Sequence, residues 1–264
     1  MELRIWYAVC RVTGFQIPNS KFLIPIKAAF QFITILPVGK PADFQPLRMI
    51  PYFPIVGLIL GMMTALFDLT VSQLWPPGVA ALLDVIFLII ITGAFHLDGL
   101  GDAADGLYGQ RSFEKALAIM KDSRLGAMGL VAIICGLSVK WAGIAELDSH
   151  RSLWLIIIPA YSRGSMLFGL RFLPYGRPDG GTGMDFFDSP LPLRAFSGLL
   201  IPLILSLFLG WRGIGINLFF ILLTGAILYY YKKKLGCITG DMLGAMGEVI
   251  EATLFLLATA GAMT

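Results

Sequence analysis

Apolar runs of about twenty residues recur along this chain, and they limit its fold more than any other feature. Residues 50–74, 79–95, 125–146, 153–172, 193–211, 214–231 and 242–263 are predominantly apolar. Crossing the hydrocarbon core of a bilayer as a helix takes about 20 such residues. Composition points the same way: 57 % of residues are hydrophobic and only 14 % are charged, where a soluble domain carries about 25 %. Mean hydropathy is +0.79. In lipid a helix satisfies its own backbone, so the expected fold is all-α: a polytopic transmembrane helical bundle with six to seven membrane segments. Residues 22–38 are apolar but short, and carry Lys27, Gln31 and two prolines. They read as an interfacial or re-entrant helix. Residues 1–21 form an N-terminal extension with no assigned role. Arg4 and Arg11 lie there, but no long apolar core leads to a cleavage site, so no cleavable signal peptide is expected. Residues 22–264 read as a single integral-membrane domain.

The segments between the runs divide into short turns and longer polar loops. Trp75–Gly78 is a tight turn, Asp148, His150 and Arg151 make a second, and Arg212-Gly213 a third. The longer loops cover residues 96–124, 171–192 and 232–241. Lys232, Lys233 and Lys234 are the strongest basic cluster and place their loop in the cytoplasm. Counting back through the hairpins puts all three polar loops on that side. Within the first, residues 111–124 read as an amphipathic helix with Ser112 as N-cap and Phe113, Leu117 and Met120 as its apolar stripe. A net charge of +3 spread over loops gives no argument for nucleic acid. Cys10, Cys135 and Cys237 match no metal spacing.

Chemistry concentrates in the first loop, His96-Leu97-Asp98-Gly99-Leu100-Gly101-Asp102-Ala103-Ala104-Asp105-Gly106. Asp98, Asp102 and Asp105 stand at i, i+4 and i+7, one face of a helix. The residues between them carry no positive charge, so the carboxylates raise one another's pKa or take a cation. Oxygen donors without cysteine suit Mg2+ or Mn2+. His96 is a ligand, a base or a hydrogen-bonded interfacial histidine. Arg111, Lys121, Asp122 and Arg124 follow in the same loop. The second loop holds Arg171, Arg177, Asp179, Gly180-Gly181-Thr182-Gly183 and Asp185. The third adds Gly240-Asp241, and Glu248 and Glu251 follow inside the last span.

Carboxylates for a metal, cations for phosphate and a glycine-rich loop are parts of a phosphoryl-transfer site. A charge inside a membrane helix costs about 2.5–3.5 kcal/mol, so Glu248 and Glu251 face a wet site or pair with Arg163 or Lys140. Leu125-Gly126-Ala127-Met128-Gly129 recurs as Leu243-Gly244-Ala245-Met246-Gly247. These glycines serve close packing or leave a helix N-terminus open to an anion. A competing class is a cation-coupled transporter working through Asp102 and Glu248. Transporter sites, however, lie near the midplane between repeated halves, whereas these acids gather at one face.

The motif from His96 to Gly106, with Lys121-Asp122-Ser123-Arg124-Leu125-Gly126 and Thr239-Gly240-Asp241-Met242-Leu243-Gly244-Ala245, resembles the cobalamin synthase family, the adenosylcobinamide-GDP ribazoletransferases. The resemblance runs from about Ile24 to the C-terminus. It implies an integral inner-membrane enzyme that uses Mg2+ and releases GMP as it joins adenosylcobinamide-GDP to α-ribazole or its 5'-phosphate. Asp98, Asp102 and Asp105 would hold the metal, and one of them or His96 would accept the hydroxyl proton. Arg111, Lys121, Arg124 and Arg177 would hold the diphosphate, with Asp122 beside them. Asp241, Glu248 and Glu251 would complete the metal site or bind the ribazole. Membrane lipid is the implied surrounding, and a homo-oligomer is left open. The aspartate spacing is also similar to that of CDP-alcohol phosphotransferases, as chemical analogy only.

Overall fold

The computed structural model describes residues 23–40, 45–122, 124–177 and 183–260. They form ten principal helices: α1 (Leu23–Ile33), α2 (Phe53–Leu74), α3 (Pro77–Thr92), α4 (Phe95–Leu107), α5 (Phe113–Lys121), α6 (Ala127–Ala145), α7 (Arg151–Phe172), α8 (Leu200–Leu207), α9 (Gly210–Lys234) and α10 (Gly240–Ala258). Short helical turns, Pro46–Met49 and Ile50–Tyr52, lead into α2. Among the described residues the β structure is one isolated parallel bridge, Tyr175 with Ile238. The all-α bundle expected of the apolar runs is what forms.

Four helical segments are long and apolar enough to cross a membrane: Pro46–Leu74, α6, α7 and α9. The helix α3 has 16 residues and meets α4 at a bend of 92°. The corner is built by two successive left-handed residues, Gly93 (φ 62°) and Ala94 (φ 59°). Glycine adopts that conformation freely, whereas alanine pays about 1–2 kcal/mol. After the corner, α4 runs nearly perpendicular to α3 and packs on α5, α6 and α10.

The run 193–211 is not one span. Leu193–Leu199 is a 3-10 helix, and α8 after it has only eight residues. The turn comes at Gly210 (φ 61°), so α9 absorbs Arg212-Gly213 and ends at Lys234. Apolarity cannot distinguish a straight span from a 3-10 segment followed by a short helix. The three lysines stand in the last turn of α9, where cations complement the helix dipole. The helix α10 has 19 residues and carries Asp241, Glu248 and Glu251.

The centre of the bundle is α7 with α10 against it. Trp154, Tyr161 and Phe255 are fully buried there. On its other side α7 meets α2 at backbone contact. A Cβ on Gly57 would fall 2.6 Å from Ala160 Cα, and one on Gly61 2.7 Å from Ile156 Cα. The Gly57-x-x-x-Gly61 pair is a small-residue stripe of the kind that brings membrane helices together. At the end away from α4, Arg151 binds Asp68 at 2.9 Å and Asp84 at 3.1 Å and donates to the Ile144 carbonyl at 2.5 Å, tying α2, α3, α6 and α7.

Candidate active site

The polar loops meet at the α4 end. Gly176 N–H donates to the Ile238 carbonyl and Ile238 N–H to that of Pro174, both at 2.9 Å. That pairing delivers Arg177 to Asp241, with which it forms an ion pair. Arg177 also donates to the Met120 carbonyl at 3.3 Å, and Lys234 to that of Gly109. The loops expected to share a side are in contact.

Helix α4 lies on the start of α10. A Cβ on Gly99 would fall 2.9 Å from the Asp241 carbonyl oxygen, so only glycine allows this approach. Thr239 caps α10, accepting from Met242 N–H at 3.2 Å, and its hydroxyl donates to Asp241 Oδ2 at 3.4 Å. Asp98 is exposed and Asp102 half-buried. Partial burial, then the charges of Asp98 and Asp241, push the Asp102 carboxyl up to about 6, with Arg177 acting against them. The site is therefore a run of carboxylates — Asp98, Asp102 and Asp241 — offset by one guanidinium.

Asp105 departs from the expected metal triad. Its Oδ2 accepts from Gly126 N–H at 2.7 Å and its Oδ1 from Gly129 N–H at 2.9 Å. It caps α6, whose own N-cap residue, Gly126, has no side chain to do so. A Cβ on Gly126 would lie 2.5 Å from Asp105 Oδ1. The helix N-terminus that the Leu125–Gly129 repeat offered to an anion is filled from within the chain. The second copy packs: Gly244 against His96 and Gly247 against Ser162.

His96 is buried, its Nδ1 has no hydrogen-bond partner, and it faces α10 rather than the Asp98–Asp102 side of α4. Glu248 and Glu251 are taken up in a buried ion cluster instead of a wet site. Lys140 Nζ lies 2.6 Å from Glu248 Oε2 and 2.8 Å from Glu251 Oε1. The first contact is a hydrogen bond, whereas Glu251 Oε1 makes none, so the second is an ion pair only. Arg163 binds the other oxygen of Glu251. This is the pairing with Arg163 and Lys140 that the residues left open.

Among the expected phosphate cations, Arg124 is 86 % exposed and pairs at 2.5 Å with Asp122, whose carboxyl it holds below the usual range. Arg111 donates to the Tyr108 carbonyl at 3.0 Å. Lys121 is exposed at the end of α5, and Ser112 caps that helix as expected. Asp179, Gly180, Gly181 and Thr182 lie outside the described residues. Thr239 opens one of the motifs quoted above but carries no assigned role there; the signal for its capping role is its position just before a helix that starts Gly-Asp.

Among the described residues no three His, Cys, Asp or Glu side chains are grouped to hold a metal by themselves. Magnesium does not need such a cage. It is bound by one or two carboxylates together with substrate phosphates, and Asp98 and Asp102, one helical turn apart, are hard donors that fit this mode.

The family model described as cobalamin-5-phosphate synthase matches residues 25–260. The chain belongs to that family. Curated relatives named adenosylcobinamide-GDP ribazoletransferase agree with it over most of both chains. The one from Alkaliphilus metalliredigens is 36 % identical over 88 % of this chain and 94 % of its own. That from Bradyrhizobium diazoefficiens is 35 % identical over 89 % and 93 %, and that from Desulforamulus reducens 33 % over 89 % and 96 %. No solved structure gives a match. The cobalamin-5-phosphate synthase family thus takes in all of the described helices but the first two residues of α1.

Proposed function

We propose that this chain transfers the adenosylcobinamide-phosphate group of adenosylcobinamide-GDP to α-ribazole or its 5'-phosphate. The observation that carries the reading is the exposed carboxylate face of α4, packed against the Arg177–Asp241 pair, in a family whose relatives bear that transferase's name. A ribazole hydroxyl attacks the phosphorus on the cobinamide side of the diphosphate. The bond to the GMP oxygen breaks, GMP leaves with the electron pair, and the hydroxyl proton passes to a base.

Asp98 and Asp102 would hold Mg2+, which supplies charge neutralisation of the diphosphate and of the GMP leaving group. Arg177 is the cation of this chain placed to bind the diphosphate, and Asp241 fixes its guanidinium. Asp105 positions α4 on α6, and the Lys140–Glu248–Glu251–Arg163 cluster holds α6, α7 and α10 in register behind the site. We assign the chain to the inner membrane with the α4 end toward the cytoplasm; support comes from Lys232–Lys234 ending α9 on that side.

The test is GMP release by detergent-purified protein given adenosylcobinamide-GDP and α-ribazole. Release that requires both α-ribazole and Mg2+ supports the assignment. No release by folded protein overturns it, and cation transport by the same protein in sealed vesicles would favour the carrier reading.

A further inference from the structure

The face of α4 opposite the carboxylates also borders a cavity. Leu100, Ala103, Ala104 and Leu107 form one wall of a groove of about 380 Å3, closed by α6, α9 and α10. Its volume is in the range of sites that hold an organic ligand, about 300–1,000 Å3. Its lining is almost wholly apolar, and the mouth residues Tyr108, Val131, Tyr230 and Val249 are exposed. Two of its walls, α6 and α9, are segments apolar enough to cross a membrane, so the groove opens toward acyl chains.

The basic end of α9 lies over the same groove. Ile227 and Tyr230 line it, and Lys233 and Lys234 follow Tyr230 at i+3 and i+4, on the same helix face. Lys232, at i+2, is on another face. Lys234 is fixed at the mouth by its bond to the Gly109 carbonyl. Arg111 stands beside it, bound to the carbonyl of Tyr108 at 3.0 Å. An apolar slot leads up to Lys234 and Arg111 at one rim, with Lys233 next to Lys234 in the same helical turn, complementary to a molecule with a long apolar tail and an anionic head.

We propose that this groove binds an anionic phospholipid, with one acyl chain between α4, α6, α9 and α10 and its phosphate at Lys233, Lys234 and Arg111. Basic pockets between membrane helices recognise acidic headgroups in this way. The site rests on the membrane reading alone and not on the transfer reaction. It would place a lipid directly behind the helix that carries Asp98 and Asp102.

The test is native mass spectrometry of protein extracted from nanodiscs of equal phosphatidylglycerol and phosphatidylcholine, with retained lipid counted per protein. Each basic side chain near a membrane surface favours an acidic headgroup by about fivefold, so wild type should retain phosphatidylglycerol in at least tenfold excess. Lys233→Ala/Lys234→Ala should cut that excess to about fivefold or less, which is what Arg111 alone supplies. Val131→Trp, a change at an exposed rim position that fills the groove, should lose the lipid itself. Lys232→Ala should behave as wild type. Equal retention of the two lipids by wild type, or full retention by Val131→Trp, overturns the proposal. An equal loss in Lys232→Ala also overturns it, since that result would mean attraction to the lysine cluster at large.

Discussion

Replacing Lys140 by methionine tests what holds the bundle behind the acidic face. The cluster is neutral as a set, with Lys140 and Arg163 facing Glu248 and Glu251. Its side chains are almost wholly out of solvent: 4 % exposed for Lys140, 10 % for Glu248 and 1 % for Glu251. Lys140→Met removes both lysine contacts and leaves one carboxylate charge uncompensated in the interior. Removing one partner of a buried pair costs about 3–5 kcal/mol. At about 2–4 °C per kcal/mol for a chain of this size, Tm should fall by about 6–20 °C. The double variant Lys140→Met/Glu248→Gln restores neutrality, keeps the Arg163–Glu251 pair and should recover most of the loss. The assay is apparent Tm of purified protein in one detergent at one scan rate, because where unfolding is irreversible the midpoint depends on rate. A fall of less than about 2 °C in the single variant would refute the reasoning, as would a double variant no more stable than Lys140→Met. The double variant should also keep its KM for adenosylcobinamide-GDP; a tenfold rise at restored Tm would return Glu248 to the substrate site.

Three further outcomes are expected. Asp105→Ala strands the N–H groups of Gly126 and Gly129 and should cost about 2 kcal/mol, measured as a fall in Tm that Asp105→Asn partly restores. Asp102→Asn should not lower Tm in the absence of divalent cations. Partial burial and the neighbouring Asp98 push the folded carboxyl up to about 6 from the ordinary 3.8 of an aspartate, so its ionisation opposes folding increasingly as pH rises from 4 to 6. The Asn variant should match or exceed wild type at pH 7.5 and lose any advantage below pH 4, followed by Tm against pH. Gly61→Val places a Cβ 2.5 Å from the Leu155 carbonyl oxygen and should part α2 from α7 at a cost of about 3 kcal/mol, seen as lost monodispersity on size exclusion; an unchanged profile would refute the close approach.

The membrane bundle was legible because its signal is compositional and repeated: α2, α6 and α7 lie within three residues of the ends expected for their runs. The corner at Gly93-Ala94 and the 3-10 segment Leu193–Leu199 were not, because each continues directly into or out of an apolar run, Pro77–Thr92 for the corner and Leu200–Leu207 for the 3-10 segment. The i, i+4, i+7 spacing correctly put three aspartates on one helix. What it could not show was that the third reaches a neighbouring helix start, since Asp105 and Gly126 are joined only by the fold. Glu248 and Glu251 were visible as costly charges, but whether they face substrate or Lys140 depends on the register of α10 against α6. Asp241 and Arg177 were each named, and their pairing comes from a short backbone contact, Gly176 with Ile238, that no spacing rule reveals.

The central claim is that Asp98 and Asp102 serve the metal while Asp105 serves the fold. It is tested most directly by titrating Mg2+ in the GMP-release assay for wild type, Asp102→Asn and Asp105→Asn, at a temperature where all three are folded. The account predicts that Asp102→Asn loses turnover at every Mg2+ concentration or needs at least tenfold more Mg2+, while Asp105→Asn keeps the wild-type Mg2+ requirement. The reverse pattern, with Asp105→Asn shifted and Asp102→Asn unchanged, would contradict it.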